Sequence, residues 1–426
     1  MKYSEMNVEQ LISEQEKCRE EYEEYKSRNL KLNMARGKPS ISQENAALEL
    51  LDTVTSKTDR TTEEGIDILN YGCLEGLIEC RRLFGDMLEV PYEKVFIGGN
   101  SSLNLIYDYL TQCCVKGSSD HTEPWLSQGD VKFLCPVPGY DRHFGIAEYL
   151  GLKLVSVPMT DEGPDMDIVE ELVKDPLVKG MFCVPKYSNP TGAVYSDETV
   201  RRIAEMETAE DFRVVWDNAY CIHHLTDEHA EILDILDLCE KAGNPDRAVV
   251  FASTSKISFS GSGVAVFAAN RDNFDWISRR IGKQTIGFDK INQLRHVRYF
   301  KNLDGLMAHM NKLADIITPK FNIVLDTFEK DLAPYGIARW TNPKGGYFIS
   351  LDVEEGCAKR VYDLCKEAGV TLTDCGATFP YGKDPKDENI RIAPSYPTTD
   401  ELQTATDILV LSTKLATIEK FLGKTR

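Results

Sequence analysis

From about residue 90 onward, short apolar runs alternate with amphipathic stretches. VFIGG (95–99), VKFLCPVP (131–138), LKLVSVPM (152–159), MFCVP (181–185), RVVWD (213–217), AVVFAS (248–253) and VAVFAA (264–269) read as strands. Between them SSLNLIYDYLTQCC (101–114), HFGIAEYLG (143–151), DIVEELVK (167–174) and SDETVRRIAEMETA (196–209) carry helical spacing. Two of these helices open on serines, which cap exposed N–H groups well. Near-continuous apolar strands separated by helices predict an α/β fold whose mostly parallel sheet is covered on both faces. Outside this stretch the pattern changes. The first thirty residues read as an acidic amphipathic helix ending near Asn29-Leu30, and residues 31–72 are mixed. One long helical region (289–332) precedes IARW (337–340), GGYFISLDV (345–353), a helix over 357–368, NIRIAPS (389–395) and a final helix from about 399. Few strands with segregated helices predict a smaller α+β domain. The N-terminal helix is expected to pack with it, which makes that domain discontinuous in sequence.

Composition narrows the function. The chain has 426 residues, 42% of them hydrophobic and 27% charged, which is ordinary for a globular protein with two or three domains. Its net charge of −19 argues against a main task of gripping nucleic acid or an anionic membrane. A small anionic substrate stays open, because a local basic pocket can sit in an acidic surface. The 12 cysteines form no CxxC pair and read as buried thiols of a reducing cytosol. The N-terminus lacks the apolar core of a signal peptide, and no uncharged apolar run is long enough to span a bilayer, so a cytoplasmic location is expected.

Five short motifs carry candidate chemistry. Lys256 follows the apolar strand AVVFA in Ser253-Thr254-Ser255-Lys256. Desolvation there lowers an amine's pKa and makes it a nucleophile toward an aldehyde. Asp217 ends the strand RVVWD, where a carboxylate needs a partner such as a protonated ring nitrogen, and Tyr220 follows three residues later. Ser188-Asn189-Pro190-Thr191-Gly192 is a turn after MFCVP and offers Asn189 as a hydrogen-bond donor. Gly98-Gly99-Asn100-Ser101-Ser102 joins a strand to a helix N-terminus, a favourable place for a phosphate. Arg391, in NIRIAPS, can pair two N–H groups with a carboxylate. Each motif alone has a structural alternative: a solvated loop lysine, an Asp capping a turn, a core tyrosine, a plain N-capped helix or a surface arginine.

Their order carries more than any one of them. Ser101, Asn189, Asp217, Lys256 and Arg391 follow one another at intervals of 88, 28, 39 and 135 residues, mostly at strand ends. The chain thus resembles the class I/II aminotransferases, fold-type I pyridoxal 5′-phosphate enzymes related to aspartate aminotransferase. LNMARGKPS, CPVPGYDRHF and QTIGFDKINQLRH resemble a divergent bacterial subgroup related to MocR-type aminotransferase domains. The resemblance implies a large domain (71–310) with a mostly parallel seven-stranded sheet. It also implies a small C-terminal α+β domain (311–426) and an N-terminal segment (1–70) packed on the small domain. It implies a ping-pong aminotransferase that takes an amino group from aspartate or a similar amino acid and gives it to a 2-oxo acid such as 2-oxoglutarate. Lys256 would hold the cofactor as an aldimine and shuttle a proton. Asp217 would keep the pyridine nitrogen protonated, while Asn189 and Tyr220 would bond the phenolic oxygen. Ser101, Ser102, Ser253 and Ser255 would bind the phosphate, and Tyr140 would stack on the ring. Tyr71 would reach the phosphate of a neighbouring subunit, which implies a homodimer with shared sites. Gly37 and Arg391 would hold the substrate's α-carboxylate.

The sequence departs from the family at one position. An arginine is common eight residues after the lysine, and here Val264 stands there. Ser262, Lys283 and Lys290 are the expected substitutes at the phosphate. For a distal substrate carboxylate the candidates are Arg36, Lys38, Arg142 and His143. His223 and His224, just past Tyr220, read as supporting or core residues with no metal-ligand spacing, and Lys186 and Tyr187 as local packing around the Asn189 turn. A lyase or decarboxylase on the same fold is the alternative enzyme. The effector domain of a MocR-type regulator is the non-enzymatic alternative, and it should carry an N-terminal helix-turn-helix that the first thirty residues leave no room for.

Overall fold

The computed structural model describes residues 1–423. Seven strands form the main sheet: β1 (Val95–Ile97), β2 (Lys132–Val137), β3 (Lys153–Thr160), β4 (Val178–Cys183), β5 (Arg213–Asp217), β6 (Ala248–Ser253) and β7 (Ala265–Ala269). Their order is β1-β7-β6-β5-β4-β2-β3, and the two residues Gly163–Pro164 add an antiparallel edge to β3. The pairings among β2 to β6 are parallel, whereas β7 runs antiparallel to both β6 and β1. Every residue of β4, β5, β6 and β7 is buried, which is why these strands read as unbroken apolar runs. Because β2, β4, β5 and β6 run the same way, Val137, Cys183, Asp217 and Ser253 end on one edge of the sheet. The loops that follow these ends converge there, the usual location of a site in an open α/β sheet.

A second, antiparallel sheet contains β8 (Ala338–Trp340), β9 (Ile349–Val353) and β10 (Asn389–Ile392). Helix α1 (Val8–Ser27) buries Leu11, Cys18 and Tyr22 in the same core as this sheet. The Tyr22 hydroxyl donates to the Leu364 carbonyl at 2.8 Å.

Around the main sheet, helix α2 (Ser102–Lys116) starts at Ser101, and α3 (Asp141–Tyr149) starts at Tyr140. The expected long helix over 289–332 is two helices, α4 (Lys290–Phe300) and α5 (Leu303–Asp331). Between them Lys301 adopts a left-handed φ of 67°, and Asn302 caps α5 by accepting from the Gly305 N–H at 3.0 Å. A break made by two residues leaves the apolar period intact on either side. The apolar pattern also does not signal three helices, Ile78–Leu88, Ile235–Lys241 and Arg271–Ile281. Helix α6 (Ala358–Glu367) and the terminal α7 (Thr399–Phe421) match their expected positions. Among the described residues no helix is long and apolar enough to cross a membrane.

Candidate active site

Asp217 ends β5 with 4% of its surface exposed. Its Oδ2 lies 2.8 Å from His143 Nε2. A carboxylate only accepts, so Nε2 carries the hydrogen. The ring of His143 stacks on Phe182 at 4.7 Å, which fixes its plane. Helix α3 puts His143 one turn after Tyr140, and Gly139 lets the chain enter that helix: a Cβ there would stand 2.3 Å from the Pro136 carbonyl. Asp217 Oδ1 is buried and has no hydrogen-bond partner among the described residues. Such an oxygen is costly unless a donor meets it. A protonated pyridine nitrogen is such a donor, so the site fits pyridoxal phosphate at this atom.

Lys256 stands in the turn after β6, half-buried. Its Nζ lies 5.7 Å from the ring centres of both Tyr220 and Tyr347. The Tyr347 hydroxyl accepts from Gln43 Nε2 at 2.5 Å and donates to the Lys256 carbonyl at 3.3 Å. Burial lowers the Lys256 ammonium pKa; Asp217 opposes the shift and Arg391 adds to it. Burial pushes the Tyr220 phenol well above its ordinary value, so it stays a donor. Burial also raises Tyr140, which meets His143 edge-on at 4.9 Å.

Arg391 lies in β10 opposite Ser350 and is 7% exposed. Its Nη1 donates to Asp141 Oδ1 at 2.7 Å and to Asn189 Oδ1 at 3.4 Å, while its Nε is buried without an acceptor among the described residues. Its guanidinium carbon sits 5.0 Å over the Phe348 ring, against which Gly37 packs so closely that a Cβ would stand 2.4 Å from the ring. The geometry therefore gathers Arg391, Asn189, Gly37, Asp217, Tyr220, Tyr140 and Lys256. Asp141 and Gln43 join them unannounced, since nothing in their local sequence marks them.

On the phosphate side, Ser101 precedes α2 and leaves its side chain uncommitted as a cap, with Ser102 beside it. Ser253 Oγ donates to Ser255 Oγ at 2.9 Å. Val264 is spent on the sheet: its N–H donates to Thr254 Oγ1 at 2.9 Å, and its carbonyl accepts from the Thr254 N–H at 2.9 Å. Lys290 gives two of its three donors to the Asn70 and Gly72 carbonyls, at 2.7 and 3.2 Å, so it braces the Tyr71 segment. Lys283 and Ser262 are exposed. The Ser262 and Gly263 carbonyls accept from Asn292 Nδ2 at 3.0 and 2.8 Å. Tyr71 is 82% exposed and points away from its own chain's core.

Among the candidates for a distal carboxylate, His143 drops out because Asp217 engages it. Lys38 Nζ lies 3.8 Å over the Tyr396 ring, and Arg36 and Arg142 are exposed. His223 is buried against Tyr220 and Tyr347, with ring centres 5.6 and 5.8 Å away, and burial pulls its pKa down to about 3. His224 Nδ1 lies 2.6 Å from the Tyr187 hydroxyl. No metal-binding cluster exists among the described residues.

The structure brings the sheet-edge lysine, the buried carboxylate and the late arginine to one site, and comparison with known proteins places the chain among aminotransferases. The chain belongs to the aspartate amino-transferase family, whose model matches residues 6–425. It is 48% identical over 407 residues to an aspartate aminotransferase of Corynebacterium glutamicum, covering 95% of this chain and 94% of that one. The crystal structure of an aspartate transaminase from the same species superposes with a TM-score of 0.96 at 46% identity, covering 99% of each chain. An α-aminoadipate aminotransferase of Thermus thermophilus, solved with N-(5′-phosphopyridoxyl)-L-leucine, shares the fold with a TM-score of 0.71 at 20% identity, covering 92% of this chain and 93% of that one.

Proposed function

We propose that this aminotransferase uses pyridoxal 5′-phosphate to move an amino group from aspartate, or a similar small acidic amino acid, to a 2-oxo acid such as 2-oxoglutarate in a ping-pong course. One observation carries the reading: the amine of Lys256 shares a site with Asp217, whose Oδ1 is buried and lacks a donor among the described residues. The name of the Corynebacterium relative supports aspartate as donor.

The cofactor supplies an electron sink for breaking a bond at the substrate Cα. Asp217 holds the ring nitrogen's proton through Oδ1, and His143 keeps the carboxylate aimed. Tyr220 and Asn189 hold the ring's oxygen, and Tyr140 covers its face. Ser101, Ser102, Ser253, Ser255 and the N–H groups opening α2 hold the phosphate. Arg391 receives the α-carboxylate, with Gly37 beside it, and its free Nε marks where that group binds. Lys256, its ammonium destabilised by burial, offers a neutral amine that takes the Cα proton and returns it.

The exposed side chains Ile41, Leu69, Tyr71 and Ile286 support a homodimer in which Tyr71 completes the partner's phosphate site. The chain divides into an N-terminal segment (1–70), a large domain (71–310) and a small domain (311–426), and it works in the cytoplasm. The test is the visible absorbance of the purified holoenzyme. Wild type should carry the cofactor's lysine-bound band and Lys256→Ala should lack it. An identical band in both proteins refutes the assignment of Lys256.

A further inference from the structure

A lysine side chain is long and flexible, so aiming its amine requires a fixed backbone and fixed walls. Tyr347 gives Lys256 both. Its ring centre stands 5.7 Å from Nζ, as does that of Tyr220, and the two rings stack 6.2 Å apart. Its hydroxyl donates to the Lys256 carbonyl at 3.3 Å. A phenol has one hydrogen, so this bond requires that the same oxygen meet a donor, not an acceptor, on its other side. Gln43 Nε2 is that donor, at 2.5 Å. Ser40 sets which end of the Gln43 amide faces Tyr347: its N–H donates to Gln43 Oε1 at 3.1 Å, which turns the amide nitrogen toward the phenol. Ser40, Gln43 and Tyr347 are all buried.

A second line of contacts runs from the same element. Gln43 lies in the short helix Ile41–Ala46. The Ala46 carbonyl at its end accepts from the Tyr299 hydroxyl at 2.8 Å. That hydroxyl lies 3.2 Å from His309 Nδ1, and His309 Nε2 donates to the Ile257 carbonyl at 2.7 Å. One helix of the N-terminal segment thus reaches the carbonyls of both Lys256 and Ile257, each by way of a phenol.

We propose that Gln43 is a positioning residue for Lys256, acting through the Tyr347 hydroxyl, so that the helix Ile41–Ala46 holds the lysine turn in place for proton transfer at the substrate Cα. The inference rests on the reading of Lys256 given above as the group that takes that proton. Removing the Gln43 N–H takes the donor from the Tyr347 hydroxyl, and removing the hydroxyl takes the donor from the Lys256 carbonyl. Either change loosens the turn that carries the amine, and proton transfer is sensitive to small errors in that placement. Arg391 makes none of these bonds, so binding of the substrate's carboxylate is left as it was.

Single-turnover mixing of the holoenzyme with L-aspartate, protiated or deuterated at Cα, tests it in Gln43→Leu, Tyr347→Phe and the double variant. Rates are taken per cofactor-loaded site, so a merely structural loss, which lowers the loaded fraction, does not count. Each single variant should slow the proton-transfer step about 10-fold while half-saturating aspartate stays within about twofold of wild type. The deuterium effect should be at least as large as in wild type. The double variant should be no slower than the slower single one, because both changes break one chain of bonds. A wild-type rate in either single variant overturns the proposal, as do a loss confined to half-saturation, a deuterium effect smaller than in wild type, or rate losses that multiply in the double variant. Tyr347→Phe removes one hydroxyl and keeps the ring, so it decides the matter even if Gln43→Leu fails to fold. Failure of the underlying reading looks different. A wild-type rate in Lys256→Ala refutes the lysine's role, and a wild type that turns over L-glutamate but not aspartate refutes only the donor, with the same comparison then run on Cα-deuterated glutamate.

Discussion

His143 donates to Asp217 Oδ2 and leaves Oδ1 without a partner among the described residues, the atom proposed to meet the cofactor. Replacing it by Phe keeps the stacking on Phe182 but leaves a second carboxylate oxygen unmet. That costs about 1–3 kcal/mol, and kcat should fall about 10- to 100-fold. Steady-state kinetics on cofactor-saturated His143→Phe checks this. An unchanged kcat means the imidazole only fills space. That Lys256, Asp217 and Arg391 belong to one site was legible because strand-end positions and chain order survive in sequence. His143 was read in sequence as a candidate for a distal substrate carboxylate, and its bond to Asp217 was not legible, since β5 and α3 are joined only by the fold. The same holds for Asp141 on Arg391 and Gln43 on Tyr347, pairs separated by 250 and 304 residues.

Among the elements, the strands with wholly buried faces were the easiest to read, because nothing but apolar residues fits them. The α4–α5 break was hidden because Lys301 and Asn302 end one helix and start the next without disturbing the period. Helix α4 matters beyond its own packing. Asn292 ties down the Ser262–Gly263 backbone, and His296 Nε2 lies 2.8 Å from Ser258 Oγ, two residues past Lys256. Asn292→Leu removes both carbonyl bonds and should lower stability by about 2 kcal/mol. Thermal unfolding of wild type and variant measures it. Gly345 pins the Tyr220–His224 turn from the other side. A Cβ there would stand 2.4 Å from both the His223 carbonyl and the Tyr187 ring, so Gly345→Ala should give a markedly less stable protein with impaired cofactor retention.

For the whole molecule, buried histidines set a pH limit. Burial lowers His296 from 6.5 to about 4, so the native state stays neutral where the unfolded chain takes up a proton. Its contribution is fully present above pH 6.5 and is lost as pH falls toward 4, about 3 kcal/mol in all. His296→Gln should therefore flatten the fall in stability between those pH values, read by denaturant unfolding at several pH values. The acidic surface, with a net charge of −19, coexists with a site that gathers Lys256 and Arg391, so overall charge says little about the ligand. The proposed homodimer would cover apolar side chains left outside, Tyr71 and Ile286 among them. Ile286→Asp should shift the protein from dimer to monomer in sedimentation velocity and weaken cofactor retention.

The central claim is amino transfer from an amino acid to an acceptor that arrives only afterwards. Mixing the holoenzyme with L-aspartate alone and counting products tests it most directly. One oxaloacetate per active site should appear and then no more, with glutamate following in equal amount once 2-oxoglutarate is added. Continued turnover without an acceptor, releasing ammonia or carbon dioxide, would contradict the account and make the enzyme a lyase or decarboxylase.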